Sequence, residues 1–334
     1  MAIGFPTKAN WAAGDVLTAS AMDDLAGTVN TVQWLKPWNT CLNSNFSVWQ
    51  RGTSISYNNS TAYSADRWQA SIIQSAATIT RQATSDTTNL PNIQYCARVQ
   101  RTAGNTQTND MQFSQSFESV NSIPYAGKAV AFSFYARAGS NYSAASNALQ
   151  YRLVTGTGTD QNILTGFTGQ ANAVLSTATL TTTWQRFTGT ATLGATITQI
   201  AINFVNTPVG TAGANDYYEV TGVQLEQGSV ANTYQPNQST FQGELAACQR
   251  YYQQGVSGLW SGMSTSTATY YSNVYFAVQM RTTPTSTVGV IGTSGFASAT
   301  YVLATPSYIQ AGGTATATAV GSYYTWSFTS SAEL

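Results

Sequence analysis

The stretch Val130-Ala-Phe-Ser-Phe-Tyr-Ala-Arg137 decides the fold class. Val130, Phe132, Phe134 and Ala136 recur at every second position, and a strand sends alternate side chains to opposite faces, so the four share one face. Working outward, strand-like segments return at Tyr95–Gln100, Thr183–Phe187, Ile200–Phe204 and Tyr217–Leu225. In the last, Tyr218, Val220 and Gly222 alternate with Tyr217, Glu219 and Thr221, and then Val223 and Leu225 continue on the other parity. That shift at Gly222 predicts a bulge. Short strands joined by Gly-, Asn- and Thr-rich turns, with no amphipathic helices between them, predict a mainly all-β chain built on a jelly-roll β-sandwich.

The chain has 334 residues, more than one core usually serves. It reads as three regions. Residues 1–39 form an anchor arm and helix, 40–238 the jelly roll, and 239–334 a helix followed by a second, small β-sandwich-like domain. In the first region Phe5 and Trp11 are candidate anchoring residues. Asp15–Lys36 reads as helical, with Ser20 as a cap, Asp23 and Asp24 in the first turn and Pro37 as the stop. Met22, Leu25, Val29 and Val32 repeat at three–four–three spacing, as in a coiled-coil seam. Two heptads are marginal alone in water, so this stripe packs either on its own chain or against two further copies as a short stalk. In the third region Phe241–Gln254 reads as a helix capped by Ser239 or Thr240, with Phe241, Leu245, Cys248 and Tyr252 as its apolar stripe. Strands are then expected at Tyr270–Arg281, Thr287–Ile291, Ala299–Leu303, Ser307–Gln310, Thr314–Val320 and Tyr323–Phe328.

Charge excludes whole classes of function. Thirteen acidic and thirteen basic residues give zero net charge, and charged residues make up 8% of the chain, against about 25% in ordinary globular proteins. Nucleic-acid binding needs clustered Lys and Arg, which are missing here. There is no histidine, so Ser-His-Asp and Cys-His nucleophile systems are unavailable. Among the carboxylates no pair stands out as a glycosidase couple, and the reading is of a non-enzyme. Cys41, Cys96 and Cys248 are too few and too widely spaced for a disulfide framework or a zinc set, and all three are expected reduced and buried. No metal or other cofactor is expected. The opening residues lack a signal-peptide pattern, and no apolar run approaches a membrane span. The expected site of synthesis is a cytoplasm, without membrane insertion. Neutral hydrogen-bonding groups and aromatics suit glycan or protein contacts.

Two segments carry a likeness. One is Asn45-Phe-Ser-Val-Trp-Gln-Arg-Gly-Thr53 followed by Tyr63-Ser-Ala-Asp-Arg-Trp68. The other is Tyr217–Ser229, ending in Gln224-Leu-Glu-Gln-Gly-Ser229, then Ala231–Pro236 and Glu244-Leu-Ala-Ala-Cys-Gln-Arg-Tyr-Tyr252. Together they resemble the carbohydrate-binding-module-like jelly-roll region of tailed-bacteriophage tail-fibre and related virion proteins, over about two-thirds of the chain judged by motif placement. The opening Trp11–Val32 segment is also similar to the N-terminal segments of such proteins. The resemblance implies a structural protein of the virion, a homotrimer held to other virion proteins by its leading arm. A tail fibre for host-surface adhesion is the first form, a head fibre or capsid decoration protein the second. A glycan depolymerase is the catalytic alternative. Jelly rolls of this type often hold calcium through an Asp on the closing strand, and Val220–Leu225 has none. Asp66, Glu118 and Asp216 are the carboxylates left to contribute.

Asp66-Arg67-Trp68 has two readings. Trp68 could stack on a sugar, with Arg67 pairing to Asp66 or Glu226. The structural reading places Trp68 in the core and Arg67 as a buried donor to backbone carbonyls. Trp260, Tyr271, Tyr301, Tyr324 and Trp326 are candidate contacts to a glycan or partner, against core or subunit interface as the competing reading.

Overall fold

A computed structural model describes residues 39–334 apart from Pro91. Phe5, Trp11, Met22, Leu25, Val29 and Val32 lie outside the described residues. Asn39–Leu334 is one compact unit.

Ten strands make one antiparallel sheet: β1 (Ser54–Tyr63), β2 (Gln69–Ala83), β3 (Tyr95–Arg101), β4 (Met111–Ser116), β5 (Ala129–Ala138), β6 (Ala148–Gly156), β7 (Ala171–Thr179), β8 (Gln185–Thr192), β9 (Gln199–Asn206) and β10 (Tyr217–Gln227). Their order is β7-β6-β9-β4-β2-β3-β10-β5-β8, with β1 along β2. The long strand β2 is the corner. Gln69–Ile72 pairs with β4, Ala77–Ala83 pairs with β3, and Gln74 interrupts the run at φ 54°. The two halves of the sheet face each other across one core. Val130, Phe132, Phe134 and Ala136 are fully buried, as their alternation predicts. Phe134 meets Phe204 of β9 edge-on at 4.8 Å and Tyr151 of β6 at 5.0 Å. The fold is therefore all-β and sandwich-like.

The bulge falls where the parity break put it. The register between β10 and β5 shifts between Thr221 and Gln224, and Gly222 sits at φ +57°. A Cβ there would stand 2.8 Å from Ile93 Cδ1, so the position requires glycine twice over.

A single-turn helix α1 (Ser119–Ser122) precedes β5, and α2 (Phe241–Gln249) follows the jelly roll. Thr240 caps α2 by accepting a hydrogen bond from the Gly243 N–H at 3.1 Å. The expected extension to Gln254 is corrected: Tyr252 already pairs with Ser331 in a new strand. The expected stripe is corrected too, because Glu244 and Cys248 point inward while Phe241 is 54% exposed.

The remaining strands are β11 (Tyr252–Ser264), β12 (Thr269–Tyr275), β13 (Thr285–Ser294), β14 (Phe296–Ala304), β15 (Tyr308–Ala315) and β16 (Ala319–Ser331). They form two three-stranded sheets, β11-β16-β13 and β12-β15-β14, around a core of Phe296, Ile309, Tyr324, Trp326 and Phe328. The expected strand Thr314–Val320 is broken: Thr314 and Ala315 end β15, Ala319 and Val320 open β16, and 316–318 turn between them. Thr316 N–H leaves the ladder for the Gly295 carbonyl, and Ser266 N–H bonds the Thr318 hydroxyl. Cys41, Cys96 and Cys248 are free and buried.

Candidate functional site

Three of the motifs that carry the likeness, those around Arg51, Asp66-Arg67-Trp68 and Arg250-Tyr-Tyr252, converge on one largely buried junction. Arg51 bridges Asp66 at 3.2 Å and Glu333 at 3.1 Å, and its guanidinium lies 3.6 Å from the Tyr252 ring centre. Arg67 pairs with Glu333, donates to the Ser116 carbonyl at 2.7 Å and stacks on Tyr251 at 3.6 Å. Arg250 and the Tyr251 hydroxyl both reach Glu118. Trp68 is fully buried and donates to the Leu42 carbonyl at 3.2 Å. The structural reading of Arg67 and Trp68 therefore holds: they are scaffold, and no sugar can reach the Trp68 ring.

The carboxylates are committed in the same way. Arg101 meets Asp216 at 2.8 Å with both side chains out of solvent. Glu219 is clamped between Arg98 and Arg137, and Asp160 pairs with Arg281. Glu226 accepts from Gln224 and Asn232, and Glu244 accepts from the backbone of Asn43 and Gln238. Among the described residues no three His, Cys, Asp or Glu side chains are placed to hold a metal ion. Asp66, Glu118 and Asp216, the carboxylates considered for calcium, each hold an arginine instead. No helix among them is long and apolar enough to cross a membrane.

Burial pushes the Asp66 carboxyl up to about 6 from its usual 3.8, against the pull of Arg51 and the Gln50 amide, with Glu333 adding to the rise. The folded state thus binds this proton more tightly than the unfolded chain does. Stability from this group is fullest below pH 3.8 and falls as pH rises to about 6. The total loss is about 3 kcal/mol. Denaturant unfolding measured across that window is expected to show a flatter pH dependence for Asp66→Asn than for the wild type. An unchanged slope would remove Asp66 from the titration.

A cleft of about 540 Å³ lies on the jelly roll. Three separate segments build it: the loop containing Asn45 and Ser47, the end of the β2–β3 hairpin, and the Pro236–Phe241 approach to α2. Asn43 fixes the first loop, donating to the Val48 and Asp66 carbonyls and accepting from Val48 N–H. The lining carries the amides of Asn45, Asn92, Gln94 and Gln238, the hydroxyls of Ser47 and Ser239, and the rings of Tyr95 and Phe241. Two charged residues line it. Arg81 lies over the Tyr95 ring at 4.7 Å. Glu244 is buried beneath its two backbone donors, and burial raises its carboxyl above the usual range. The surface thus offers neutral donors and acceptors beside aromatic faces, and a polyhydroxylated ligand can use both. Sequence reasoning missed this cleft. Of its lining, the sequence singles out Thr240 only as a helix cap.

The sequence-selected aromatics separate. Tyr324 and Trp326 are fully buried, which corrects their reading as contacts. Ser322, Tyr324, Trp326, Phe328 and Ser330 share the inner face of β16. Trp326 donates to the Ser272 hydroxyl at 2.7 Å, and Tyr324 to the Tyr270 carbonyl at 2.9 Å. Trp260 packs inward on Tyr270 at 4.3 Å and stacks with Tyr324. Tyr271 and Tyr301 remain 54% and 46% exposed.

Fold and cleft together define a β-sandwich protein with a concavity lined mainly by neutral polar and aromatic side chains. No family model and no curated protein matches the chain. Among solved structures it is similar to a CBM4 structure (18% identity, 56% of this chain and 98% of that one, TM-score 0.32). It is also similar to the C-terminal family 22 carbohydrate binding module of Clostridium thermocellum Xyn10B (15% identity, 53% and 99%, TM-score 0.33). A third likeness is to the enzymatically active domain of bacteriophage CBA120 tailspike protein 4 (14% identity, 57% and 21%, TM-score 0.34). At these identities and TM-scores the likenesses assign no ligand or activity to this chain.

Proposed function

We propose that this chain is a structural protein of a tailed-phage virion, a trimeric tail fibre that attaches to host-surface glycan through the jelly-roll cleft without cleaving it. The observation that carries the binding reading is the chemistry of that cleft: amides, hydroxyls and two aromatic rings, with Arg81 and Glu244 already engaged. The virion reading is supported by the order of the motifs and by the meeting of three of them at one junction, where Arg51 touches Asp66 and Tyr252 and Arg67 touches Tyr251. A head fibre or decoration protein differs in where the molecule sits on the particle, and imaging of labelled virions separates the two. Against a depolymerase, Glu244 is the one carboxylate lining the cleft, where a glycosidase needs a pair, and Asp216, Glu219 and Glu226 are held by arginines or amides.

Calorimetry of the full chain with host envelope polysaccharide tests the cleft. Tyr95→Ala and Phe241→Ala are each expected to weaken binding about five- to tenfold, the loss of one ring contact of roughly 1–1.4 kcal/mol. Binding that neither change alters would remove the cleft from the proposal. New reducing ends on incubation would remove the non-catalytic reading.

A further inference from the structure

The C-terminal sandwich has two outer faces of different chemistry. On β12-β15-β14 the exposed positions include Tyr271 and Tyr275, with Gln310 donating to Asn273 at 2.8 Å. On β11-β16-β13 the outer face is largely aliphatic. Val256, Leu259, Met263, Ile291 and Tyr323 are 74, 58, 70, 54 and 41% exposed. Thr325, Ser327 and Thr329 lie between them, opposite Leu259, Val256 and Gln254 of β11.

This face bears no charge. Between Tyr252 and Leu334 the chain carries two charged residues, Arg281 and Glu333. Both turn to the jelly roll, Arg281 to Asp160 at 3.0 Å and Glu333 to Arg51 at 3.1 Å. The edge strands β11 and β13 carry no Lys, Asp or Glu, the residues that usually keep an exposed edge from pairing with another chain. Exposed apolar side chains gathered on one sheet face mark an interaction surface.

We infer that the outer face of β11-β16-β13 is an interface between copies of this chain. The occupant follows from electrostatics. A partner bringing charged groups would bury them against a surface with no counter-charge, at a cost of several kcal/mol per ion. A second copy brings the same uncharged aliphatic and hydroxyl surface. Symmetry-related copies often set like charges against each other, and here there are none to repel. The interface is independent of the glycan cleft, which lies on the jelly roll.

Sedimentation of the full chain tests it. The wild type is expected to associate reversibly, and Leu259→Lys combined with Ile291→Lys to weaken association by roughly tenfold or more, since each lysine must be desolvated without a partner. A monomeric wild type, or association untouched by the two lysines, would overturn the inference. Thiol labelling keeps the question open to test should the double variant fold poorly. The native cysteines are buried, so the thiol of Leu259→Cys can be compared with that of Val120→Cys, a position 65% exposed on α1. Slower labelling at 259 in the associated sample, with the difference lost on dilution, supports the interface. Equal rates overturn it. Slow labelling at 259 in a chain sedimenting as a monomer also overturns it, because another occupant, such as residues 1–38, would then cover the face.

Discussion

Arg67→Ala is expected to lower the unfolding free energy by about 3–5 kcal/mol, the usual result of removing one partner from a buried ion pair. Arg67 is 2% exposed and Glu333 5% by side chain. Without the guanidinium, Glu333 keeps Arg51 alone, the Ser116 carbonyl loses a donor and the Tyr251 ring loses its stacked cation. The lost pair joins the jelly roll to the residues that follow the last strand, so the effect should be cooperative across both. Chemical denaturation followed by tryptophan fluorescence and by far-ultraviolet dichroism measures it. Arg67→Met paired with Glu333→Gln should cost less than Arg67→Ala, because no unpaired charge is left inside. A loss below about 1 kcal/mol, the level of an exposed pair, would show that the junction is not structural.

Trp326→Ala should destabilise by a comparable amount, about 3–5 kcal/mol, through the cavity left by a fully enclosed indole. The ring contacts Phe328 at 6.2 Å between centres, and its N–H satisfies Ser272. Hydrogen exchange should locate the damage in β15 and β16. Tyr271→Ala, at an exposed ring on the same sandwich, should stay within about 0.5 kcal/mol. If the two substitutions cost the same, the inward assignment of Trp326 is wrong.

The contrast between these residues shows what was readable. In Tyr323-Tyr-Thr-Trp-Ser-Phe328 the even positions are all aromatic, while the odd ones fade to Thr and Ser. That parity places Tyr324 and Trp326 inside, and it outweighs the separate fact that aromatics bind sugars. The alternation of β5 and the parity break at Gly222 were legible for the same reason. Strand β1 was not, because Ser54–Tyr63 is an edge rich in Ser and Asn with half of its residues exposed and one buried. Strand β11 hid behind the helical spacing that runs from Phe241 into Tyr252, where Tyr252 in fact begins pairing with β16. The cleft lay beyond sequence reasoning altogether. Asn45, Tyr95 and Phe241 stand far apart along the chain, and only the corner in β2 and the packing of α2 bring them together.

The inward turning of the charges has a wider effect. Arg51, Arg67, Arg98, Arg101, Arg137, Arg250 and Arg281 all point to carboxylates of their own chain. Little long-range field is left outside for dissolved ions to shield. Encounters made by such a surface proceed at nearly the same pace in dilute and in brackish water. They are governed by shape and wetting once the two bodies are already in touch.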